Sequence, residues 1–91
     1  MNANKRFKVL RQLPCCWCGR SPSDVAHSNW YEHGKGKGVK ANDEYTIPMC
    51  REHHNLFDTY ALGMTREQSK AWFMKHWEFI NDVISTLQAK D

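Results

Sequence analysis

Phe73, Trp77, Ile80, Ile84 and Leu87 recur at intervals of four and three, and Trp72, Phe79 and Val83 widen the same stripe. Such spacing lines apolar side chains along one face of an α-helix. Thr65 and Gln68, three residues apart, make a capping-box pattern in front of it. The pattern predicts one long amphipathic helix over residues 65–89. Its stripe is broad for so small a body, so part of it is expected to bury a second copy of the chain in a homodimer.

Elsewhere the periodicity is weaker. Residues 1–13 read as a basic arm with a short helical run around Phe7, Val9, Leu10 and Leu13, stopped by Pro14. Residues 24–31 hold strand formers without clean alternation, and residues 44–49 read as a short strand whose Pro48 rules out a central position. Between them lies Glu32-His33-Gly34-Lys35-Gly36-Lys37-Gly38, a flexible basic loop. A second helix is expected to start near Arg51 and end before Gly63. There is no internal repeat and no low-complexity tract. The expectation is a single α+β domain: arm 1–13, core 14–62 and C-terminal helix 65–89.

At 91 residues the core alone gives marginal stability, and chains of this size often add a metal or a partner. Charge is lopsided: residues 1–40 carry +6 and residues 41–91 carry −3. A basic half suits an anionic partner, nucleic acid being the usual one, although a solvated basic face has the same composition. No apolar run of signal-peptide length follows the N-terminus, and no stretch approaches membrane-spanning length. A soluble, cytoplasmic protein that makes no membrane contact is therefore expected, and in that compartment paired Cys and His favour metal over disulfides.

The pairs are Cys15 with Cys18 and Cys50 with His53, each separated by two residues. A two-residue gap lets both members point at one ion, and four such donors close a tetrahedral structural zinc shell. Cys16 is too close to Cys18 for the usual knuckle and is left as a small buried spectator. Gly19 supplies the backbone freedom that the knuckle demands. The long interval between the pairs suits a treble clef, in which a hairpin separates the knuckle from the helix carrying the second pair.

The run Cys50-Arg51-Glu52-His53-His54-Asn55 resembles the Cys-x-x-Cys-His-Asn element of HNH endonucleases, with His53 in place of the second cysteine. The similarity extends to small phage and bacterial members akin to the Ref-type recombination-enhancing nucleases, through Lys37-Gly38-Val39-Lys40-Ala41-Asn42-Asp43-Glu44-Tyr45-Thr46-Ile47-Pro48-Met49-Cys50. It covers residues 14–58 and implies a ββα-metal core. It also implies a first histidine at a strand end (His27), a middle residue on the hairpin (Asp43, or else Asn42) and a last histidine at the helix start (His54). Two positions depart from the family pattern: Ala26 stands where an acid or histidine is common, and Tyr45 where asparagine is common.

On that resemblance the expected activity is metal-dependent phosphodiester hydrolysis in DNA. His27 would be the general base, because imidazole titrates near operating pH. Asp43 and His54 would hold one Mg²⁺ or Mn²⁺. Asp58, four residues after His54, is a further candidate ligand, and otherwise an exposed helix acid. Lys35, Lys37 and Lys40, with Lys5, Arg6 and Lys8 of the arm, would contact phosphates without reading sequence. His33 is either a solvated loop residue or a contact to phosphate or metal. Asp24 is expected to form a turn with Ser23, and His76 to pack on its helix. The competing readings are a non-catalytic zinc module that binds nucleic acid or protein, and a zinc hydrolase of small molecules. The closed four-ligand count argues against the hydrolase.

Overall fold

A computed structural model describes residues 2–36 and 38–89. Its elements run α1 (Ala3–Gln12), β1 (Asp24–His27), a 3₁₀ turn (Tyr31–His33), β2 (Thr46–Met49), α2 (Arg51–Asp58) and α3 (Arg66–Ala89). The expected basic arm is thus a ten-residue helix in its own right. Asn2 caps α1 by accepting from the Lys5 backbone N–H at 2.9 Å. Leu13, forced out of helical geometry by the following Pro14, ends it in extended conformation.

The two strands pair antiparallel, with Asp24 opposite Met49, Val25 opposite Pro48, Ala26 opposite Ile47 and His27 opposite Thr46. In a two-stranded sheet both strands are edges, which is how Pro48 is accommodated. Its carbonyl accepts from the Cys16 N–H at 2.9 Å, so the cysteine turn docks on the free side of β2. All four residues of β2 are buried, whereas only Ala26 of β1 is.

Two apolar clusters hold the body together. One gathers Ala26, Ile47, Met49, Phe57 and Phe73 with Cys15 and Cys50. The other joins Leu10 of α1 to Ile80 and Ile84 of α3. Helix α3 is therefore the spine that both clusters share, and its predicted stripe is largely consumed inside the chain. Phe79 and Leu87 stay exposed. The capping box closes as patterned: Thr65 N–H donates to Gln68 Oε1 at 2.9 Å, and Gln68 N–H to Thr65 Oγ1 at 3.1 Å. Among the described residues, no helix is long and apolar enough to cross a membrane.

Candidate metal centre and adjoining histidine cleft

Cys15 and Cys18 lie on the turn after α1, which closes through Cys15 N–H to Arg20 O and Gly19 N–H to Cys15 O, both 2.9 Å. Gly19 takes the left-handed φ of +78° that this turn requires. Cys50 is the N-cap residue of α2, and His53 sits in its first turn. The ligand atoms of all four lie within 4.8 Å of one another. Cys18 Sγ is 3.7 Å from Cys50 Sγ, close to the edge of about 3.8 Å that a tetrahedron with 2.3 Å zinc–sulfur bonds has. Cys50 Sγ to His53 Nδ1 is 3.2 Å. This cluster can hold a metal ion such as zinc.

Two thiols of the cluster are shifted in opposite directions. Burial raises the Cys15 thiol, but N–H groups of Cys50, Cys18 and Trp17 outweigh it and hold it below its ordinary value. For Cys50 the His53 N–H lowers the thiol, yet burial and the facing Cys18 and Cys15 sulfurs prevail and the net shift is upward. Three sulfurs this close repel one another as thiolates, and a dication relieves that repulsion. Cys16 stands apart. Burial first, then the neighbouring Cys15, pushes its thiol up to about 12, and it packs against both apolar clusters.

His54, the next residue on α2, looks elsewhere. Its Nε2 is 3.3 Å from Asp58 Oδ2, one helical turn on, and its Nδ1 is 3.7 Å from Asp24 Oδ2 at the start of β1. The Asp58 hydrogen bond raises the His54 pKa against the lowering effect of burial, and both carboxylates add to the rise. A nitrogen and an oxygen about 3 Å apart can share one cation with bonds near 2.1 Å. Asp24 also lies 3.4 Å from Arg51 Nε. It opens a strand instead of forming the turn expected with Ser23.

His27 ends β1. Its Nε2 is 2.9 Å from Asp43 Oδ1, and the Phe7 ring meets it edge-on at 5.8 Å and 72°. Asp43 and Asn42 lie on the approach to β2. Asn42 serves the loop: its N–H donates to His33 O at 2.8 Å, and its side chain lies so close to Gly34 that a Cβ there would meet Oδ1 at 2.7 Å. Arg6 is turned inward, away from the arm role expected of it. It donates to Thr46 Oγ1 at 2.8 Å, Thr46 O at 2.7 Å and Asn81 Oδ1 at 2.9 Å.

A cleft of about 270 Å³ brings His27, His54 and Asp58 together with Lys35 and Lys40. Asp43 lines a separate depression with Arg6 and Glu44, so the His27–Asp43 pair stands between the two. Lys35 Nζ is 3.4 Å from Asn29 Oδ1, and a Gly36–Val39 bridge closes the loop tip between the two lysines. Lys37 lies outside the described residues. His33, expected in solvent or on a ligand, is buried. Its Nδ1 is 2.5 Å from Ser28 Oγ, its ring stacks on Tyr45 at 4.1 Å, and burial lowers its pKa. His76 packs against Trp72 at 4.7 Å.

The family described as "Protein of unknown function (DUF968)" matches residues 1–63, from α1 through α2. An Escherichia coli (strain K12) relative, "Uncharacterized protein YdfU", is 41% identical over 55 residues, 60% of this chain and 16% of that protein. The aligned segment thus spans about one sixth of that relative's length. No solved structure matches the chain. The family match takes in the Cys3His cluster, the three histidine–carboxylate pairs and the lysine loop while stopping short of α3, and on that extent the chain belongs to the DUF968 family.

Proposed function

We propose that this chain is a metal-dependent DNA endonuclease domain of the HNH type, built on a zinc-stabilised treble-clef or ββα-metal core. The observation that carries the reading is the shared cleft: His27 and His54 line it beside Lys35 and Lys40, while a separate Cys3His set draws two of its four members, Cys50 and His53, from the start of the helix that carries His54. A structural ion and a working site then use neighbouring residues without competing for donors.

In this reading Cys15, Cys18, Cys50 and His53 hold zinc, and its four protein donors leave no open position for a substrate. Lys35 and Lys40 attract and seat the backbone phosphate. His27 takes the proton of a water whose oxygen attacks phosphorus, as the bond to the leaving sugar oxygen breaks. His54 and Asp58 hold Mg²⁺ or Mn²⁺, which when bound stabilises charge developing on the phosphate. Imidazole beside carboxylate suits such ions, and the 3.3 Å separation fits donors on one coordination sphere.

The test is nicking of supercoiled plasmid in Mg²⁺ or Mn²⁺. Wild type is expected to nick and His27→Ala to lose at least about 100-fold in rate, the usual worth of a general base. Equal cleavage by both proteins, or none by either with DNA binding intact, overturns the reading in favour of a non-catalytic zinc module.

A further inference from the structure

His27 is a strand-end histidine whose two ring nitrogens have different surroundings. Nε2 meets the Asp43 carboxylate at 2.9 Å. An ionised carboxylate only accepts, so the nitrogen facing it must carry the proton. In neutral imidazole the other nitrogen, Nδ1, then holds the lone pair. The ring is held on a second side by Phe7, edge-on at 5.8 Å. Two supports of this kind remove the ring's freedom to flip.

The residue that bears this carboxylate is held through its backbone. Asp43 O accepts from Thr46 Oγ1 at 2.8 Å, and Thr46 is the residue opposite His27 in the strand register. Arg6 clamps Thr46 at both its hydroxyl and its carbonyl, and reaches on to Asn81 of α3. The imidazole, the backbone of Asp43 and the sheet are thus joined in one frame braced from α1 and α3. Such a frame fixes the ring orientation and the tautomer together.

We propose that Asp43 is a positioning residue that holds His27 as its Nε2–H tautomer and leaves Nδ1 as the ring's basic nitrogen. What that nitrogen does depends on the nuclease reading; the tautomer depends on geometry alone. The role differs from that of a cation ligand in a measurable way. A ligand's loss weakens metal binding, whereas a positioning residue's loss leaves the ion in place and disorders the base.

The experiment uses the full zinc-loaded chain with ¹⁵N-labelled histidine, and His27→Gln assigns the His27 resonances. Long-range ¹H–¹⁵N spectra of wild type are expected to show His27 protonated on Nε2, with Asp43→Ala shifting toward a mixture and Asp43→Asn, which keeps an acceptor, retaining the wild-type pattern. Mn²⁺ titration is expected to give the same affinity for wild type and Asp43→Ala. Plasmid cleavage by Asp43→Ala is expected to fall roughly 10–100-fold in kcat at unchanged KM, the usual effect of losing an outer-shell partner, with partial rescue in Asp43→Asn. A wild-type Nδ1–H tautomer, a tautomer unmoved by Asp43→Ala, or loss of Mn²⁺ binding in that variant would each overturn the proposal. Failure of wild type to cleave DNA overturns the nuclease reading instead, and the tautomer and Mn²⁺ measurements still decide the role of Asp43.

Discussion

His53 and His54 are consecutive residues that serve different neighbours: His53 Nδ1 lies 3.2 Å from Cys50 Sγ, while His54 lies between Asp24 and Asp58. Successive positions on an α-helix point about 100° apart, so the first turn of α2 can present one imidazole to the thiol cluster and the next to the cleft. The shortness of α2 matters here. Eight residues starting directly after Cys50 leave both histidines close to the end of β2.

Substitution should separate the two sites. Cys50→Ala and His53→Ala each break the four-donor set, and each is expected to lose metal together with cooperative folding, because a structural ion's binding energy is folding energy in a domain this small. His54→Ala is expected to keep its zinc and its melting transition. Native mass spectrometry alongside thermal melts checks both halves. A folded, metal-free wild type with an unchanged melt would remove the structural role assigned to zinc.

Arg6 should matter for stability more than its place near the N-terminus suggests. Its guanidinium joins α1 to β2 and α3 through three hydrogen bonds, and burial lowers its pKa although Glu44 opposes that. Arg6→Ala leaves the Thr46 and Asn81 acceptors without their donor. A loss of about 2 kcal/mol is expected by urea denaturation, the scale of hydrogen bonds to a charged group. Lys5→Ala, exposed on the same helix, is expected to change stability by less than about 0.5 kcal/mol.

Several of these relationships are legible in the chain and others are not. The capping box of Thr65 with Gln68, the stop at Pro14 and the two spaced ligand pairs are local, and local chemistry leaves a local signature. Asp24 leaves none, because its nearness to His54 exists only once β1 pairs with β2 and α2 follows. Arg6 is likewise hidden: a basic residue in a basic stretch looks solvated until its acceptors at positions 46 and 81 are brought to it. The contact of the Asp43 carboxylate with His27, sixteen residues away, is equally hidden until the hairpin brings the two together. Tyr45, where the resemblance leads one to look for asparagine, is a packing residue stacked between His33 at 4.1 Å and Trp77 at 5.1 Å.

That stack makes stability pH-dependent through His33. Burial holds its folded pKa below the ordinary 6.5, so the unfolded chain binds the proton more readily. Both states are neutral at His33 above pH 6.5, and the native state is at full strength there. As pH falls from 6.5 toward the lower folded pKa, the unfolded state is favoured progressively. Urea midpoints measured from pH 7.5 down to pH 5 should fall for wild type, and fall less for His33→Asn, whose amide can still meet Ser28 without titrating. Parallel slopes for the two proteins would exclude His33 as the source.

The lysine loop gives the most direct reading of the partner. Lys35 and Lys40 line the cleft with both histidines, on a loop pinned by the Gly36–Val39 bridge and by Asn42 N–H to His33 O at 2.8 Å. If their role is to meet phosphates, each lysine releases bound counterions from DNA, and affinity falls steeply as salt rises. Replacing both with glutamine should weaken binding to every duplex sequence alike, because phosphates carry no base information. The slope of log affinity against log salt should shrink by about 0.9 for each phosphate that is no longer neutralised, so by nearly 2 for the double variant. Fluorescence anisotropy on two unrelated duplexes at several salt concentrations measures this. An unchanged slope, or a weakening confined to one sequence, would show that these lysines do not hold phosphate and that the cleft is approached some other way.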